Sequence, residues 1–242
     1  MTKKAEARRH ELRSPGLAEP KAAPCTKAAI ILKVSHESAD ALLKAFELAQ
    51  TQRGAPRGMT TDEEQDLLRA MLVMAAAGLD SMLKQLIRDS MSSLVKVNPQ
   101  VRDGLEKFVA RSIRGDADTP EPLSGARFLG RVLTAESQQV QVIEEYIRDL
   151  TGVSLQSAPE LMRTVQALGL SKTKVDAGRF KAIFAVRNEI IHELDINLDD
   201  ERRRRNLRRR EQMMKDTDAL LEIGEQVLRE VDEILSAVEQ QA

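Results

Sequence analysis

Tryptophan is absent from this chain, tyrosine occurs once, and aromatic residues make up only 2% of the sequence. No platform of interleaved aromatics exists on which bases could stack, so any hold on RNA would come from backbone grip and loop shape. The single cysteine, Cys25, excludes an intramolecular disulfide framework and a cysteine-based zinc cluster, and the three histidines are too scattered for metal-ligand spacing. No metal and no cofactor are expected, and a reducing cytoplasm is the expected setting. The sequence has no G-x-x-x-x-G-K-S/T loop, G-x-G-x-x-G turn or H-E-x-x-H pair, which leaves ATPase, dinucleotide-binding and zincin chemistry without support. No stretch reads as a secretory leader or as the roughly 20 apolar residues that span a bilayer, so the expectation is a soluble protein with no membrane partner.

What the sequence does contain is helix-forming. Alanine, leucine, glutamate, arginine and methionine abound and no β-type alternation runs for any useful length, which predicts an all-α fold. In 242 residues, apolar periodicity and punctuation predict a bundle of about six to seven helices with a long C-terminal helix. Residues 1–27 mix Lys, Arg and Ala with Pro15, Gly16, Pro20 and Pro24, and read as a disordered basic arm. Residues 28–242 read as a single helical domain, with a loop insertion near 115–125.

Within that domain a first helix is expected over about 28–52, with His36 on its surface. Thr60 or Thr61 then starts a second, with Glu63 or Glu64 completing a capping box ahead of an apolar stripe over 67–97. Further helices are expected over about 100–113, 126–151 and 158–168. A motif helix around 180–192 and the final helix follow.

The motif helix carries the most informative residues. Phe180, Ile183, Phe184, Val186, Ile190, Ile191 and Leu194 gather on one side of it, yet Arg187 falls in the middle of that arc. A guanidinium among isoleucines and phenylalanines is costly unless an acid, a hydrogen-bond network or a phosphate partners it, so it points to a cleft or subunit seam. Asn188 and His192 project from the same margin, four residues apart. An arginine can offer paired donors to a phosphate, an imidazole can exchange a proton near neutral pH, and an amide can orient either. Asp80, at the edge of the second helix's apolar stripe, is a candidate supporting acid for Arg187 or His192. The alternative is an arginine snorkelling from a helix edge beside an ordinary helix-end histidine.

Cations cluster nearby in sequence. Lys172, Lys174 and Arg179 precede the motif, and Arg202, Arg203, Arg204, Arg205 and Arg208 form a basic block at the start of the final helix, in a chain whose formal net charge is only -1. A concentrated patch attracts a polyanion even when the global charge is balanced, which makes RNA the expected ligand. The block could equally be a solvated helix end offset by neighbouring acids.

The arrangement Arg187, Asn188, three variable residues, His192 resembles the HEPN superfamily of all-helical ribonucleases and toxins. The likeness in layout spans roughly 60–240, but only those three residues are specific to it. The resemblance implies metal-independent RNA cleavage, in which the 2′-hydroxyl attacks the adjacent phosphate. His192 would serve as general acid or base, Arg187 would stabilise phosphoryl charge, and Asn188 would orient His192 or the phosphate. It also implies a two-fold homodimer with a composite site, and a toxin or antiviral defence role beside a neutralising antitoxin protein. Two other readings stand beside it: a catalytically silent module binding RNA, nucleotide or a protein, and a structural dimer in which Arg187 pairs with an acid across the seam.

Overall fold

Of the two threonines expected to open the second helix with a capping box, Thr61 forms it, with Glu64. The Thr61 hydroxyl accepts from the Glu64 N–H, and the Glu64 carboxylate accepts from the Thr61 N–H. Arg53 closes on the same carboxylate at 2.8 and 3.0 Å, tying the end of the first helix to the start of the second. In the computed structural model these helices are α1, Thr26–Gln52, and α2, Asp62–Val97. The structure describes residues 11–14, 16, 18–54, 59–114, 124–197 and 205–239.

The order continues with α3 (Pro99–Arg114), α4 (Ser124–Thr134), α5 (Gln138–Thr151), α6 (Ala158–Ala167), α7 (Ala177–Glu193) and α8 (Arg210–Glu239). The fold is all-α, with a long C-terminal helix. Among the described residues no strand occurs, only an isolated antiparallel bridge between Ile196 and Arg205.

α2 is the central helix, packed by α1, α8, α5, α3 and α7. Its Leu68, Met71, Leu72, Leu79, Met82, Leu86 and Met91 are buried, so the methionine-rich stripe is core. Gly78 lets α1 and α2 touch: a Cβ there would lie 1.9 Å from Ser35 Oγ and 2.3 Å from Ser35 Cβ. Gly224 does the same for α8, which nests against Leu32, Leu79 and Met82. One window of α2 is long and apolar enough to cross a bilayer, contrary to the sequence expectation, and half of that window is buried in this core.

Several boundaries differ from expectation. The segment before α1 is not a free arm over its described part. Leu12, Ala22 and Cys25 are buried, and the backbone N–H groups of Arg13, Gly16 and Ala22 donate to Asp218, Glu225 and Asp232 of α8 at 2.9, 3.2 and 2.7 Å. Prolines interrupt an α-helix but not a strip whose donors find carboxylates, and the chain takes that form up to Ala22, after which a short 3-10 turn over Ala23–Cys25 leads into α1. Residues 1–10 lie outside the described residues.

The single helix expected over 126–151 is two, because Ser137 caps α5 by accepting from the Val140 N–H. The loop insertion near 115–125 falls mostly outside the described residues. Its last two positions, Ser124 and Gly125, open α4. His36 is half-buried rather than on the surface, with Nε2 enclosed and without a protein partner.

The close α1–α2 crossing predicts that Gly78→Val lowers stability by about 1–3 kcal/mol through overpacking, and that adding Ser35→Gly restores part of the loss. Urea denaturation of the single and double variants measures both.

Candidate functional site

α7 begins where Asp176 accepts from the Arg179 N–H. It ends abruptly at Leu194 and Asp195, consecutive non-glycine residues with φ of 52° and 61°. The N–H groups of both turn back to the Glu189 carbonyl. Such left-handed pairs persist only where their surroundings over-determine them, and here the surroundings are ionic.

Asp195 is fully buried. Its carboxylate accepts from Arg69 Nε at 2.7 Å, Arg208 Nε at 3.1 Å and Asn206 Nδ2 at 3.1 Å, with a further Arg208 Nη2 contact. Burial alone pushes this carboxyl up, but the hydrogen bonds from Arg208, Arg69 and Asn206 outweigh it and hold it below the ordinary aspartate value. Arg69, itself buried on α2, also reaches Asp66 and the Asn206 carbonyl. Arg208 reaches Glu189 on α7 at 2.6 Å, and its backbone exchanges hydrogen bonds with the Gln65 side chain. One buried ion network thus pins the end of α7 and the approach to α8 onto α2.

That network corrects the basic block. Arg208 is consumed in it, and Arg205 bonds the Leu194 carbonyl and Asp66. Neither is a free cation for RNA, because each has a closer intramolecular carboxylate or carbonyl. The final helix starts only at Arg210, since residues 205–208 are drawn into these bonds instead of the helix. Arg202, Arg203 and Arg204 lie outside the described residues. Upstream, Lys174 pairs with Glu230 and Arg179 donates to the Lys215 carbonyl, whereas Lys172 is exposed with no ion pair among the described residues.

The motif residues are placed as follows. Arg187 is half-buried: Nη1 donates to Asn188 Oδ1 at 3.0 Å, and Nε is enclosed without a protein acceptor. Asn188 Nδ2 donates to the Gln156 carbonyl at 3.2 Å, so this amide ties α7 to the α5–α6 connection. His192, in the last turn of α7, is exposed and makes no hydrogen bond or ion pair among the described residues.

Asp80 does not join them. It accepts from Lys84 Nζ at 2.9 Å and from the Leu155 N–H at 3.0 Å. Positioning that loop is its role, because Lys84 one turn along satisfies its charge. The void beside it, about 20 Å³ between α2, α5 and α6, holds no more than a water.

Around the motif the apolar arc runs out into solvent. Ile191 is 38% exposed, Leu194 63% and Leu207 65%. The Ile196–Arg205 bridge and the Asn206 N–H to Asp195 carbonyl bond at 2.8 Å run in a register that sets Leu207 across from Leu194. Arg187 therefore stands between a packed stretch of α7 and an uncovered apolar end.

Among the described residues no group of His, Cys, Asp and Glu has the spacing to hold a metal. No protein-family model, curated protein or solved structure matches this chain.

Sequence reading missed Asp195, Arg69 and Asn206. The signal was available at Arg69, an arginine between Leu68 and Met71 on a core stripe, which is the same anomaly that singled out Arg187. Its partner Asp195 lies just past the end of the motif helix, where nothing in the spacing pairs it with a residue 126 positions upstream.

Asp195→Asn is expected to cost about 3–5 kcal/mol, since it leaves Arg69 buried beside a neutral amide. The sign with pH follows from the depressed carboxyl. Its contribution is full above the ordinary aspartate value and is lost as pH falls through the lower folded value, so the parent's stability drops over that acid range. The variant lacks that part of the drop, as urea midpoints measured across the range will show.

Proposed function

We propose that the C-terminal half of α7 is the active site of a metal-independent endoribonuclease, completed by a second copy of the chain. The observation that carries this reading is Arg187: a half-buried guanidinium whose enclosed Nε has no protein acceptor, on the same helix as the His192 imidazole, which is exposed and unpaired among the described residues. A phosphate oxygen is the acceptor that such a donor lacks. His192 would move the proton of the 2′-hydroxyl or of the leaving 5′-oxygen, Arg187 would neutralise the charge building on the phosphoryl group, and Asn188 would hold Arg187 in line.

One helix supplies one histidine, and this cleavage gains from both an acid and a base. A two-fold pairing of α7 ends would bring two, and would cover Ile191, Leu194 and Leu207 in an isologous seam. A toxin or defence role with a neutralising protein partner, in the cytoplasm, is supported only by the resemblance of Arg187, Asn188 and His192 to the HEPN motif.

A second reading has its own observation. Both polar ends of Asn188 are spent inside the protein, on Arg187 and on the Gln156 carbonyl. Such an amide serves a silent module, which binds RNA or a protein through the same surface without cutting, as well as it serves a nuclease.

The test is incubation of purified protein with mixed RNA in excess chelator. Cleavage leaving 2′,3′-cyclic phosphate ends is expected, with His192→Ala slower by about 10²–10⁴-fold. Arg187→Ala is expected to lose roughly 10²–10³-fold. Because His192 is exposed, its replacement leaves stability within about 0.5 kcal/mol, so lost activity there is not lost folding. No cleavage by the folded parent at high concentration decides for the silent module.

A further inference from the structure

A second concavity lies away from the motif, and no residue of α7 lines it. It is an open groove of about 680 Å³ walled by α3, α5, α6 and residues 170–173, within the range of small-molecule sites. Its charged lining is Asp103, Lys107, Arg111, Asp149, Arg163 and Lys172, four cations against two carboxylates. Lys107 pairs with Asp103 at 2.6 Å. Arg111 and Arg163 converge on the same Oδ2 of Asp149, so two guanidiniums share one acceptor and keep donors to spare. Lys172 has no carboxylate partner among the described residues, and the Ser171 and Thr173 hydroxyls sit beside it, 2.7 Å apart. The groove carries an unmet demand for negative charge.

Its floor gives an independent observation. Tyr146, the chain's single tyrosine, is 5% exposed and lines the groove, packed against Phe108 with ring centroids 5.1 Å apart. Its hydroxyl has no hydrogen-bond partner among the described residues. The ring is buried while the hydroxyl opens into the groove, where a ligand can reach it. Gly104 keeps the space over it open, since a Cβ there would lie 3.0 Å from the hydroxyl oxygen. Burial raises the phenol above its ordinary value, against the pull of Arg163 and Arg111, so it remains a neutral donor at physiological pH.

We propose that this groove binds a phosphomonoester, its phosphate held by Arg163, Lys172 and the Tyr146 hydroxyl. Guanidinium, ammonium and a phenolic O–H facing the groove are complementary to a compact dianion with several acceptor oxygens. The inference does not depend on the α7 nuclease reading, and it can fail or hold without it.

Calorimetric titration of the full-length chain with inorganic phosphate, 5′-AMP and sulfate tests it. Saturable binding is expected for AMP and phosphate, tighter for AMP if the groove takes an organic phosphomonoester and equal if it takes the free anion, with sulfate weaker than either. Tyr146→Phe keeps the ring packing and removes only the donor, and should weaken binding about fivefold without lowering the unfolding midpoint. Arg163→Gln, at an exposed position, should weaken it at least tenfold. No saturable heat with phosphate or AMP overturns the proposal. Affinities unchanged in both variants, or sulfate bound as tightly as phosphate, overturn it equally.

Discussion

The buried carboxylate of Asp195 holds this fold in its particular shape. α2, α7 and the approach to α8 have no covalent reason to meet, and their apolar faces could slide past one another with modest loss. A charge with no access to water admits far fewer arrangements: it must keep Arg69, Arg208 and Asn206 about it or leave the interior. Such clusters contribute little net stability compared with apolar packing, but they penalise every alternative register heavily. Here the penalty fixes the helix end on which Arg187, Asn188 and His192 stand, and it accounts for Leu194 and Asp195 holding a backbone conformation that neither prefers.

How much of this was readable in the sequence differs by the kind of signal. The α2 cap at Thr61 and the apolar stripe of α2 that follows it are written in local spacing, and each stands where that spacing put it. The break at Ser137 was local too, but weak polar capping inside an amphipathic pattern reads as continuous helix. Long-range ionic choices were not legible. Arg205 and Arg208 look like a cationic surface when counted along the chain, and become structural once Asp66, Glu189 and Asp195 are placed beside them. Asp80 failed in the same way, since nothing in sequence reveals that Lys84 and the Leu155 N–H reach it first.

For the candidate site the outcome is divided. Arg187 is half-buried with its Nε enclosed, and His192 is accessible. The supporting cations expected around them are largely engaged elsewhere. Polar demand is left open at several places: at Arg187 Nε, at His36 Nε2 and at the Thr217 and Ser236 hydroxyls inside the chain, and at the Tyr146 hydroxyl in the α3–α5–α6 groove. Of these, Arg187 shares its helix with an exposed histidine and Tyr146 opens into a groove lined by cations, and that company is what singles the two out as places where something else binds.

The extended strip before α1 has a consequence for how the chain is made. Its backbone donors are received by Asp218, Glu225 and Asp232, spaced seven residues apart along one side of α8 and more than two hundred residues downstream. During synthesis the strip emerges well before its acceptors, so the α1–α2 hairpin can assemble on the ribosome while the strip has nothing to bind. Docking of the strip waits for α8 to be made, and it then seals a bundle whose earlier helices have already met.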